Sequence, residues 1–244
     1  MRCGRCNTEV KKEHKFCHEC GNYLGENAIK HRLLSALEHE SRGQIEQAIN
    51  EYRAVLEIDP NNVIARKLLG ACYFGQGMID WAIEQYRKTT EIDPMYADAY
   101  YGLGVTLYYR GRIGDAIEAL KKVLGINPDH RAAHYRLGLA YHHLGVHDEA
   151  IAHLQKSTAI TPDYVMAHYH LGVIYEKNNQ WEEATREFNK IVERNPQDAA
   201  SYYHLAMLHH HKGDIAEARE YLKEALNYEP ENKFLKILAK EIGG

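Results

Sequence analysis

The stretch AYYGLGVTLYYRGRIGDAIEALKKVLGINP, residues 99–128, decides the fold of this chain. It ends on Pro128, and the prolines are Pro60, Pro94, Pro128, Pro162, Pro196 and Pro230, each 34 residues after the last. A fixed period of this length marks a stacked structural repeat. With each proline set at position 32 of its unit, other positions fall into register. Position 8 is Ala36, Gly70, Gly104, Gly138, Gly172 and Ala206; position 20 is Ala48, Ala82, Ala116, Ala150, Ala184 and Ala218. Small side chains at these places let two helices cross closely, where larger ones would overpack the contact. Position 15 is Gly43, Gly77, Gly111, Gly145, Asn179 and Gly213, residues that tolerate the left-handed backbone ending a helix. The proline stops the second helix from running into the next unit. Each unit therefore reads as a helix–turn–helix that buries its apolar face on its neighbours.

This register closely resembles the tetratricopeptide repeat. The resemblance covers residues 29–232 without insertion, as units 29–62, 63–96, 97–130, 131–164, 165–198 and 199–232. It implies an all-α fold, a right-handed superhelical solenoid of six helix–turn–helix repeats. Position 7 is Leu in every repeat but the first, where Ser35 stands; with Ala36 and His39 it makes the first unit an atypical cap. Residues 233–244 carry Phe234, Leu235, Leu238 and Ile242 at helical spacing, read as a C-terminal capping helix over the sixth repeat.

Composition agrees with a soluble globular protein: 45% apolar, 26% charged, net charge −4. The mild acidity gives no general pull toward nucleic acid or anionic membrane. No apolar run approaches the ~20 residues that span a bilayer. The first residues, MRCGRCNTEV, lack the apolar core of a signal peptide. A cytoplasmic location and no membrane partner are expected.

Cys3, Cys6, Cys17 and Cys20 are spaced C-x2-C-x10-C-x2-C. In a reducing compartment such crowding argues for metal before disulfides, and each pair can turn a knuckle presenting two thiolates to one tetrahedral zinc. A redox or disulfide arrangement is the competing reading. Residues 1–25 resemble a short zinc ribbon, down to Phe16 before the third cysteine and Gly21 after the fourth. The pattern departs at Asn7, where glycine is usual, although asparagine also tolerates the turn. Four thiolates leave no open coordination position, so one structural Zn2+ is expected. His14 and His18 rank below the cysteines as ligands. Cys72, at position 10 of the second repeat, reads as a small buried residue.

In the family the first helix of each repeat lines a concave surface, with positions 2, 5, 9, 12 and 13 facing it. Position 5 here is Leu33, Lys67, Tyr101, Tyr135, Tyr169 and Tyr203. Positions 12 and 13 include Tyr108, His142, His210 and His211, and Arg136 lies at the groove edge. Tyrosine combines rigid area with a hydroxyl and suits partner recognition. Packing between repeats is the competing role for the same tyrosines. Lys67 and Arg136 match cations of a subtype that grips a carboxylate terminus, but Ala71 and Gly102 stand where its asparagines belong. That clamp is not expected, although the two cations favour acidic ligands.

The run His209–His210–His211 divides by register. His209 falls where a packed aromatic belongs, whereas His210 and His211 fall on the groove, as do His142 and His143 two repeats earlier. Two repeats at ~10 Å each put the pairs about 20 Å apart, too far to share a metal. Groove histidines charging below about pH 6.5 would strengthen acidic ligands.

No phosphate-cradling glycine loop or nucleophile motif is present. The expectation is a non-enzymatic scaffold that binds a partner protein or peptide in its groove, with the ribbon as a second contact surface. The alternative is an adaptor whose ribbon contacts RNA, DNA or their machinery; the ribbon's basic excess is slight. Exposed repeat ends leave homo-oligomers open.

Overall fold

The computed structural model describes residues 6–9, 11, 17–19 and 28–243. The zinc-ribbon expectation falls on residues 1–25, and Cys3 and Cys20 lie outside the described residues. Among the described residues there are thirteen helices and no strand. They are α1 (Ala28–Ser41), α2 (Ile45–Ile58), α3 (Val63–Gly75), α4 (Ile79–Ile92), α5 (Ala97–Tyr109), α6 (Ile113–Ile126) and α7 (Arg131–His143). The rest are α8 (His147–Ile160), α9 (Val165–Lys177), α10 (Trp181–Arg194), α11 (Ala199–Lys212), α12 (Ile215–Tyr228) and α13 (Lys233–Gly243).

The chain divides into two compact units, Met1–Ile126 and Asn127–Gly244. In the first, α1/α2, α3/α4 and α5/α6 form hairpins, with α2 packed on α3 and α4 on α5. Its core holds Tyr52, Val55, Leu69, Tyr73, Tyr86 and Leu107. In the second, α7/α8, α9/α10 and α11/α12 form hairpins, and α13 packs on α12. Its core runs from Leu154, Leu171 and Ile174 through Phe188, Leu205 and Leu208. A further cluster of Leu222, Ala225, Leu235, Leu238 and Ile242 seats α13.

The small residue at position 8 is imposed by close approach. A Cβ on Gly138 would stand 2.6 Å from Leu154 Cγ, and one on Gly172 would stand 2.7 Å from Phe188 Cζ. Position 15 takes the left-handed backbone, and Asn179 does so without being glycine, at φ 58°. Helix starts are capped by different chemistries. Asn62 accepts from the Ala65 amide, Asp198 from the Ser201 amide, and the His130 imidazole from the Ala133 amide. His130 thus spends a ring nitrogen on its own helix.

A second recurring device joins the two helices of a repeat. Position 4 reaches position 23 of its own second helix, 19 residues on. Arg32 donates to Glu51 at 2.7 Å and Arg66 to Gln85 at 3.2 Å. His134 Nδ1 lies 3.0 Å from His153 Nδ1, and His168 Nδ1 lies 2.5 Å from Glu187 Oε2. The same side chains hold the carbonyl of the preceding proline: Arg66 to Pro60, His134 Nε2 to Pro128 at 2.9 Å, His168 Nε2 to Pro162 at 2.8 Å. A carbonyl only accepts, so Nε2 carries the proton. Arg32, His134 and His168 are buried, and burial without these partners would be costly.

Candidate partner-binding face

The candidate residues sit on the first helices of the repeats, and each unit presents its own set. In the first unit, Lys67 Nζ lies 3.8 Å from Asp98 Oδ2, so its charge is already partly answered. Tyr101 and Tyr108 are half-buried. The Tyr108 ring meets Tyr109 edge-on at 5.9 Å, and Tyr109 in turn lies 5.4 Å from Phe74. In the same unit, Glu40 accepts from the Tyr52 hydroxyl at 2.7 Å and from the Cys72 thiol at 3.2 Å. Burial first, then this hydrogen bond and the Glu40 charge, push the Cys72 thiol up to about 12. Cys72 is indeed buried, but as a donor to a carboxylate as well as a small apolar residue.

In the second unit the tyrosines of position 5 lean onto the following repeat. Tyr135 is only 8% exposed. Its ring lies 5.0 Å from Tyr164 and 5.8 Å from His170, with the Arg136 guanidinium 5.9 Å from its centroid. Tyr135 therefore packs between repeats, and the accessible aromatic edges belong to Tyr169 and Tyr203, both half-buried. The Tyr169 hydroxyl lies 3.3 Å from His204 Nε2. His204 is oriented from its other side by Glu176 at 2.8 Å and stacks on Phe188 at 4.5 Å with the planes 2° apart. Burial first, then the charges of Asp198 and Glu176, raise the Tyr169 phenol, so it stays a hydroxyl. Register places Glu176 at position 12 on the groove and His204 at position 6 on its edge; that the two pair between α9 and α11 is set by the packing of the repeats.

The histidines part company. His209 lies against Tyr221 of α12, ring centroids 5.3 Å apart, as an interhelix packing residue. His210 is half-buried, and His211 is exposed and stacked on Trp181 at 5.6 Å. His142 sits 5.7 Å from His147, whose Nδ1 is engaged by Asn178. Burial first, then Lys177, His147 and His143, hold His142 below the ordinary histidine range; burial and His142 do the same to His170. Desolvation, with the nearby charge of Lys177, thus favours the neutral form of His142.

At the N-terminus, Cys6 Sγ lies 3.6 Å from Cys17 Sγ, and Asn7 adopts φ 59°. Four sulfurs about 2.3 Å from a tetrahedral zinc stand about 3.8 Å apart. The spacing of the pair and the left-handed Asn7 fit such a site, whereas a disulfide at about 2.05 Å is not formed. Among the described residues, no group of three or more His, Cys, Asp or Glu side chains is arranged to hold a metal ion. None of the described helices is long and apolar enough to cross a membrane.

These features define a class first: stacked two-helix repeats whose first helices carry a mixed aromatic and polar face. A tetratricopeptide-repeat family model matches residues 101–165 and 169–232, and a second TPR model matches 39–77 and 73–109. The first alone accounts for more than half of the chain, and the chain belongs to the tetratricopeptide repeat family. Among solved structures, MamA is 33% identical with TM-score 0.63, covering 68% of this chain and 96% of MamA. YrrB, described as a TPR protein with an unusual peptide-binding site, is 21% identical with TM-score 0.69, covering 78% of this chain and 97% of YrrB. PilF of Pseudomonas aeruginosa is 21% identical with TM-score 0.74, covering 87% of this chain and 97% of PilF. The latter two speak to the fold alone. Among curated proteins, no sequence matches the chain.

Proposed function

We propose that this chain is a non-enzymatic scaffold that captures a segment of a partner protein on the inner face of its second unit. The observation that carries this reading is the hydrogen-bonded series Tyr169–His204–Glu176. Its groups are locked by one another and by the Phe188 stack before any ligand arrives. Rigid aromatic edges with fixed hydrogen-bonding tips lose little entropy on binding, which favours recognition. The peptide-binding site described for YrrB supports the same use of the fold. The Tyr169 phenol, raised above its ordinary value, keeps its proton.

The N-terminal cysteines serve this scaffold as a structural zinc site held by Cys3, Cys6, Cys17 and Cys20. Bound zinc would supply folding free energy to a segment too small to bury a core. Cys6 and Cys17 would present their thiolates from one side, with Asn7 providing the turn.

The test uses peptides selected from a displayed random library against the full chain and titrated by fluorescence polarisation. Loss of at least tenfold in affinity in Tyr169→Ala plus His204→Ala, with helical content retained, supports the reading. Unchanged affinity in that variant refutes it. Salt-dependent gel shifts with RNA and DNA report whether the ribbon binds nucleic acid instead.

A further inference from the structure

The last helix carries three distinct stripes. Leu235, Leu238 and Ile242 are buried on α12. Lys233, Lys236 and Lys240 form a second stripe, exposed to solvent. Phe234 and Ile237 form a third and are 70% and 54% exposed, with Glu241 one turn beyond. At 100° per residue the stripes centre about a quarter-turn or more apart.

The lysine stripe explains itself. Continuing the 34-residue register past Pro230 places Lys236 and Lys240 at positions 4 and 8. In the preceding repeats these positions face the repeat's own second helix. His168 at position 4 reaches Glu187 there, and Gly172 at position 8 touches Phe188. α13 has no second helix, and charged side chains solvate that face and end the stack.

Capping does not explain the third stripe. Phe234, Ile237 and Glu241 occupy positions 2, 5 and 9, the same stripe as Met166, Tyr169 and Tyr203 on α9 and α11. Met166 is 49% exposed. Glu241 of α13 and Glu176 of α9 both lie near enough to the Tyr203 phenol to raise it, after burial, above its ordinary value. Tyr203 packs against the cluster that seats α13, and exposed Glu241 adds a carboxylate to an aromatic and aliphatic surface that continues the inner face onto α13, whereas Glu176 is already engaged by His204 at 2.8 Å. Single exposed apolar residues are ordinary. Here a helix that replaces its unused interface with lysines keeps large apolar side chains on the one face shared with the candidate site.

We propose that Phe234, Ile237 and Glu241 extend the inner face of the second unit and dock a peptide segment carrying a large apolar side chain with a lysine or arginine close by. The apolar group covers Phe234 and Ile237, and the cation meets Glu241 beside Tyr203. This assignment rests on the inner-face reading above and names the chemistry of its ligand.

The test uses the full chain and the library-selected peptides. Enriched sequences are expected to pair an aromatic or aliphatic residue with Lys or Arg within one helical turn. Phe234→Ser plus Ile237→Ser should weaken them at least tenfold. Glu241→Lys should weaken them similarly, and peptides with the cation changed to Glu should regain binding to that variant. These residues are exposed, so thermal unfolding should be unaffected, which is checked by circular dichroism. Equal affinity in the α13 variants, with loss in Tyr169→Ala plus His204→Ala, overturns this inference and leaves the inner-face reading standing. Enrichment of acidic peptides overturns the charge assignment, and failure to enrich any peptide overturns both readings.

Discussion

His168 and Glu187, 19 residues apart, meet at 2.5 Å across the α9/α10 hairpin while the other ring nitrogen of His168 holds the Pro162 carbonyl at 2.8 Å. One side chain thus ties together both helices of a repeat and the loop that precedes them. Lys190 adds its ammonium to Glu187 at 2.8 Å.

Removing His168 leaves Glu187 with fewer partners and releases the Pro162 carbonyl. His168→Ala is expected to destabilise the chain by about 3 kcal/mol, the order found when one member of a buried pair is lost. Urea denaturation followed by circular dichroism measures this. A change under a few tenths of a kcal/mol would show that the bracket contributes nothing net.

The same site makes stability depend on acid. Burial alone would raise the Glu187 carboxyl, but hydrogen bonds from His168 and Lys190, with their charges, bring it net below the usual range. A carboxyl whose folded pKa is depressed contributes stability above its unfolded value of about 4.3, and that stability is lost as pH falls through the folded value. Melting temperature should therefore drop on acidification below about pH 4.3, and Glu187→Gln should remove this part of the slope. An identical slope in that variant would assign acid sensitivity elsewhere.

Gly138 and Gly114 make opposite predictions. A Cβ on Gly138 meets Leu154 Cγ at 2.6 Å, whereas one on Gly114 meets nothing within 4 Å. Gly138→Ala should cost about 1–3 kcal/mol through overpacking. Gly114→Ala should stabilise by about 0.5 kcal/mol through helix propensity. Paired urea midpoints decide both.

With its thiol pushed up to about 12, Cys72 is protonated at neutral pH. Since the thiolate is the nucleophile, iodoacetamide at about pH 8 should leave Cys72 unmodified in the folded chain and label it after denaturation. Peptide mass spectrometry reads this directly. Rapid labelling in the native state would mean that the Glu40 contact is not formed.

Zinc content by elemental analysis should be one per chain, on the four-cysteine assignment. It should fall to zero in Cys17→Ser. The helical signal should persist in that variant, because the cores around Leu154 and Tyr52 contain none of the four N-terminal cysteines.

What could be read from residue order was whatever the backbone repeats. The 34-residue spacing of the prolines, the small residues at positions 8 and 20, and the left-handed position 15 follow from helices that must cross closely and stop in the same place each time. Asn7 and Asn179 are legible in the same way, since few side chains accept positive φ. Tyr169 was legible as a face residue; its engagement with His204 was not. What only the tertiary structure decided is which side chains meet across helices. Arg32–Glu51, Arg66–Gln85, His134–His153 and His168–Glu187 fill one register pair with four different pairings, so no single pairing repeats for a pattern to reveal. Tyr135 and Tyr169 share position 5, yet Tyr135 is buried and Tyr169 is half-exposed, because each leans on whatever the next repeat provides. Period is a property of the chain; partnership depends on distance and packing, which exist only once the helices have stacked.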